Sequence, residues 1–103
     1  MNLSQDNILI IDFKKVYCTK NKSNETIVLL DDDSNYGDSE ENIFVIDKIA
    51  EKLFYKINGK STIKEIIENI SSEENISNVT QFEKDSLNFF EVLVKNKIAQ
   101  IDS

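Results

Sequence analysis

The chain contains no His, no Trp, no Pro and no Arg; all twelve of its basic residues are Lys. Each absence removes a class of chemistry. Without His there is neither a histidine acid–base pair nor a histidine-ligated zinc site. Without Arg there is no bidentate fork for phosphate, carboxylate or guanine. A single cysteine, Cys18, excludes an intrachain disulfide and a cysteine-cluster metal site. Two glycines, Gly37 and Gly59, are too few for a Gly-rich phosphate loop. No apolar run approaches the roughly 20 residues of a membrane span. Residues 1–11 have no basic start, and the apolar run at 8–11 is too short for a signal peptide. These features lead us to expect a cytoplasmic protein with no cofactor, no metal and no membrane contact. The six Asn-x-Ser/Thr triplets then mark only an Asn-rich composition.

What is present suits one folded domain. The chain has 103 residues, 40% hydrophobic and 30% charged, with a net charge of −7. A domain of this size buries roughly two thirds of its unfolded surface and folds without staples. The acidic balance is the reverse of a nucleic-acid footprint. We expect a single domain over 1–103, with N-terminal strands and an acidic loop in 1–42 and a third strand plus helical core in 43–101.

The first half reads as strands. Residues 8–13 are an apolar run that can begin one. Residues 15–19 (KVYCT) alternate in polarity, residues 20–24 (KNKSN) form a polar turn, and residues 25–30 (ETIVLL) are rich in β-formers. Residues 31–42 (DDDSNYGDSEEN) carry six acidic groups and no base, and Ser34, Asn35 and Gly37 mark them as a loop. Residues 43–46 (IFVI) make a short, continuously apolar third strand, which implies cover on both faces.

The second half reads as helices. Asp47 is a good N-cap for a helix over 48–57, ended by Asn58-Gly59. Thr62 and Glu65 spell a capping box for an Ile-rich helix over 63–70, followed by a polar connector over 71–77. Thr80 and Glu83 spell another, opening a third helix to about residue 96. Residues 98–101 can add a closing strand. On the third helix, at about 100° per residue, Phe82, Ser86, Phe89 and Leu93 form one core stripe. Leu87, Phe90 and Val94 widen the apolar arc to about 160°, where about 100° suffices for one buried face. The additional arc needs a second partner, either a core that wraps around the helix or an extended peptide added to the edge of residues 43–46.

Several motifs have ordinary explanations. Asp31, Asp33 and Asn35 match the first calcium ligands of an EF-hand loop, but Tyr36 and Asn42 occupy the Gly and Glu positions. Cys18 lies on the apolar face of a strand with no His or Arg to lower its pKa, so it reads as a small hydrophobe. Glu65 and Glu68 read as a solvated helix face, with no nucleophile beside them. Two short helices around residues 58–61 resemble a helix-turn-helix, so a winged-helix DNA-binding regulator is the alternative function, although Lys and Glu alternate there without a basic stripe.

Residues 43–101 resemble the PqqD-like family, the recognition elements for ribosomally made, post-translationally modified peptides. The resemblance lies in Phe44-Val45-Ile46-Asp47, Leu53-Phe54, Asn58-Gly59-Lys60-Ser61-Thr62-Ile63, Glu65-Ile66-Ile67 and residues 89–98. Family members often carry Gly in the turn after the last helix, where this chain has Asn96-Lys97. The resemblance implies an α+β, winged-helix-like fold, a three-stranded antiparallel sheet followed by three helices. It also implies a non-catalytic adaptor that binds the leader segment of a precursor peptide. That leader would pair with Ile43, Phe44, Val45 and Ile46 and lie against Phe82, Leu87, Phe90 and Val94. The adaptor would serve a modifying enzyme of the radical-SAM or cyclodehydratase type. The implied state is a monomer or a weak dimer through the free strand edge.

Overall fold

The structure is a computed structural model and describes residues 3–30 and 43–102. The acidic stretch over 31–42, and with it the EF-hand comparison, lies outside the described residues. The architecture is α+β and winged-helix-like: strands β2 (Val16–Lys20), β3 (Thr26–Leu30) and β4 (Ile43–Ile46) form an antiparallel sheet in the order β2-β3-β4, and helices α1 (Lys48–Tyr55), α2 (Ile63–Glu73) and α3 (Val79–Lys95) follow. Strands β1 (Leu9–Ile11) and β5 (Ala99–Ile101) pair as a separate two-stranded ribbon.

Polarity alternation sets the register of the sheet. Cys18 pairs with Val28 and Val28 with Phe44, while Thr26 pairs with Ile46. These residues share the inner face, where Val16, Val28 and Ile46 are buried beside Leu53, Phe54, Ile63, Ile66, Ile67, Ile70, Phe90 and Leu93. Thr26 is buried too; its hydroxyl accepts from Lys20 Nζ at 2.7 Å and donates to Glu51, tying the β2–β3 hairpin to α1. The outer face carries Tyr17 and Val45, both about half exposed. The cover expected on both faces of residues 43–46 is therefore absent at Val45.

Local capping sets the helix starts. The Asp47 side chain accepts from the Ala50 amide at 2.7 Å. Thr62 and Glu65 form the reciprocal box, with the Glu65 amide donating to Thr62 Oγ1 at 3.2 Å and the Thr62 amide donating to Glu65 Oε1 at 2.9 Å. The box expected at Thr80 does not form. Asn78 caps α3 instead, accepting from the Gln81 amide at 3.1 Å. Asn is at least as good a cap as Thr, and it comes first in the chain.

Helix α1 stops at Tyr55, short of the expected residue 57, and helix α2 runs past the expected residue 70. Helix α2 runs on to Glu73 because residues 71–76 close a Schellman motif: the Ile76 amide donates to Ser71 O at 3.0 Å while Asn75 adopts a φ of 51°. Helix α3 ends the same way, with Ile98 N–H donating to Leu93 O at 2.9 Å and Lys97 N–H to Val94 O at 3.1 Å. The left-handed residue there is Lys97 at φ 64°, not Asn96, whose side chain donates to Val92 O at 2.8 Å. A side chain with a Cβ is strained in that conformation by about 1–2 kcal/mol. Lys97→Gly is expected to stabilise the fold by about 0.5–1 kcal/mol after the entropy cost of glycine, read as a rise in the urea midpoint with an unchanged slope.

The N-terminal apolar run has a structural role. Asn7 O and Gln5 O accept from the Ile63 and Lys64 amides at 2.9 Å each, two donors that the first turn of α2 leaves without helical partners. Leu9 O accepts from Gly59 N–H at 3.1 Å, and Ile8 bridges to Thr62. Leu3, Leu9 and Ile11 are buried by this crossing. Gly59, at φ 75°, sits beneath the Ile10 side chain.

Ser86 is the exception in a satisfied core. It is buried on α3, and among the described residues its hydroxyl has no hydrogen-bond partner. Leaving a buried hydroxyl unpaired is costly. Ser86→Ala is expected to raise stability by up to about 1 kcal/mol, measured by the same denaturation.

Candidate functional site

Strand β4 ends the three-stranded sheet, so the backbone groups on its outer side have no strand to pair with among the described residues. Helix α3 packs against α1, α2 and β5, and faces β4 across a gap. The gap is an open groove of about 460 Å³, lined by Phe44, Val45 and Ile46 from β4 and by Asp85, Asn88, Phe89, Val92 and Leu93 from α3. Successive strand residues point to opposite faces, so three consecutive residues line one groove only along the strand's edge. Val45 is 55% exposed and Val92 46% exposed. Val92 thus faces solvent in the groove, and Val45, exposed on the outer face of the sheet, borders it at a strand edge that is unpaired among the described residues.

The groove includes only part of the expected site. Phe44, Val45 and Ile46 line it, and Ile43 begins the same strand opposite Leu29. Phe90 does not reach it: its exposure is 0%. Phe82, Leu87 and Val94 are partly buried against the core. The wide apolar arc of α3 needed a second partner, and the chain supplies it itself, because α3 packs on α2, α1 and β5 together. Phe90 instead underlies the groove wall, its ring 5.7 Å from that of Phe89 at 48°.

The face of α3 that lines the groove carries Asp85, Asn88, Phe89 and Val92. In the sequence this face has one signal, Val92, an apolar residue at about 280° on the wheel between the core stripe and the polar side. Asp85 is the single charged residue of the lining; it accepts from Gln81 Nε2 at 2.9 Å, and no lysine pairs with it among the described residues.

Other surfaces offer less. A depression along the ribbon is lined by Ile10, Ile11, Asp12, Phe13, Lys14 and Gln100, where Phe13 already packs edge-on against Phe54 at 6.1 Å. In the helix-turn-helix-like pair, Lys52 on α1 and Lys56, which caps its C-terminus, are ion-paired with Glu74 at 2.7 Å and Glu73 at 3.2 Å. Cys18 is partly buried, and its thiol beside Tyr55, followed by desolvation and the nearby Glu51 charge, raises the Tyr55 pKa above the usual phenol value. Among the described residues, no three Cys, Asp or Glu side chains converge to hold a metal ion, and no helix is long and apolar enough to cross a membrane. Compared with protein-family models, curated proteins and solved structures, the chain matches none.

Proposed function

We propose that the protein is a non-catalytic peptide-binding adaptor. It captures the leader segment of a ribosomally made precursor in the β4–α3 groove and holds the rest of that precursor for a modifying enzyme of the radical-SAM or cyclodehydratase type. The observation that carries this reading is the β4 edge, unpaired among the described residues, running beside the exposed Val45 and Val92. An extended peptide entering there gains main-chain hydrogen bonds from the edge and places alternate side chains on Phe89 and Val92. Tethering the leader raises the effective concentration of the core peptide at the enzyme, which requires no catalytic group on the adaptor. The compartment that suits this task is the cytoplasm, where precursor peptides are made.

The DNA-binding alternative has less support. The net charge is −7, and Lys52 and Lys56, two of the lysines beside the helix-turn-helix-like turn, are paired with glutamates. The two readings differ in salt dependence, since phosphate contacts release counterions and apolar strand addition does not. Display selection of random linear 12-residue peptides on the whole chain tests the reading. Enriched sequences should alternate apolar residues and bind with little change between low and high salt. Absence of enrichment, with salt-sensitive binding to duplex DNA, would replace the adaptor by a regulator.

A further inference from the structure

The groove is apolar along most of its length and carries one negative charge. Asp85, Phe89 and Val92 all line it, and on α3 they follow one another at steps of four and three residues, a turn apart. A helical turn advances about 5.4 Å, and same-side residues of an extended strand recur about every 6.7 Å. A strand added to β4 that follows α3 along the groove would set one side chain over Val92, the next over Phe89, and a third toward Asp85. A long side chain closes the small mismatch that accumulates over the two steps. Asp85 is held by one hydrogen bond from Gln81 and has no cationic partner among the described residues. An anionic group beside apolar walls, left without a counter-charge, is the complement of a cation.

Building on the peptide-binding reading, we infer that the groove selects extended segments carrying two apolar residues at alternate positions and a Lys or Arg two residues beyond them, paired with Asp85. Charge also argues against the main competing occupant, a second copy of this chain docked edge to edge. Two copies would each bring a net charge of −7 and an Asp85 to the same contact, and like charges across an interface oppose association. The same net charge attracts a basic segment from a distance.

The test repeats the 12-residue selection on Asp85→Lys and measures the enriched peptide and its Lys-to-Glu counterpart against both proteins. The wild-type chain should bind the basic peptide more tightly, by about three- to tenfold. Asp85→Lys should reverse the order, and both selections should share the alternating apolar positions. An unreversed order with those positions retained overturns the charge selection and leaves the groove as a peptide site. Loss of the alternating pattern in both selections, or unchanged binding by a Val92→Lys variant, overturns the peptide site and the charge selection with it. A concentration-dependent dimer abolished by Val45→Lys, detected by light scattering, would assign the groove to a second copy and overturn the proposal.

Discussion

Phe90→Ala should lower the stability of the folded chain by about 3–5 kcal/mol, the range for emptying a fully buried aromatic site. The Phe90 ring has no exposed surface and lies among the side chains that join α3 to the rest of the core. Its removal deletes transfer free energy and leaves a cavity that rigid neighbours fill only partly. Because small domains are stable by only about 5–15 kcal/mol in total, the variant can fall close to unfolding at physiological temperature. Phe90→Leu, which keeps most of the volume, should stay folded and shows the direction with a smaller loss. Urea denaturation checks both. A Phe90→Ala protein with unchanged stability and weakened peptide binding would mean that the ring faces the groove.

Replacing Val92 by Lys should have the opposite profile. The side chain is 46% exposed, so stability should change by less than about 0.5 kcal/mol. Peptide binding should weaken by about thirtyfold, equivalent to about 2 kcal/mol for an anchor in a groove. Val45→Lys on the facing strand should behave alike, with part of the loss arising from an altered strand edge. Titration calorimetry with an enriched peptide, beside thermal unfolding of each variant, separates the two effects. Binding by both variants as tight as that of the wild-type chain would remove the β4–α3 groove from the account.

Comparing Phe90 with Val92 shows where sequence reading reaches its limit. A helical wheel reports how wide an apolar face is, but not what covers it. The wide arc through Leu87, Phe90 and Val94 fits either a core that wraps around the helix or an external peptide, and α3 meets α1, α2 and β5 of its own chain. Strand β5 is placed by pairing with β1 from the other end of the sequence, a contact that no local pattern announces. Val92 is one apolar residue on a polar arc, too weak a signal to outweigh a stripe of six.

Local chemistry was legible where one arrangement had no rival. Asp47 caps α1, and Thr62 with Glu65 closes the capping box at α2, because those interactions depend on residues three apart. Polarity alternation placed β2, richness in β-formers placed β3, and continuous apolar character placed β4. Where two arrangements compete locally the outcome was hidden. Asn78 precedes Thr80 as a cap, and Lys97 rather than Asn96 turns the chain after α3. The run at residues 8–11 had no helical or sheet neighbour in sequence; its role appears only when Leu9, Asn7 and Gln5 meet the turn and first amides of α2.

Amide hydrogen exchange on β4, followed by NMR with and without an enriched peptide, tests the peptide-docking edge most directly. Strand addition predicts that alternate amides of residues 43–46, exchanging freely in the unliganded protein, become protected on binding, with the Val92 methyl resonances shifting at the same peptide concentration. Protection confined to the ribbon of β1 and β5, or shifts centred on α1 and α2 with β4 still exchanging freely, would contradict it.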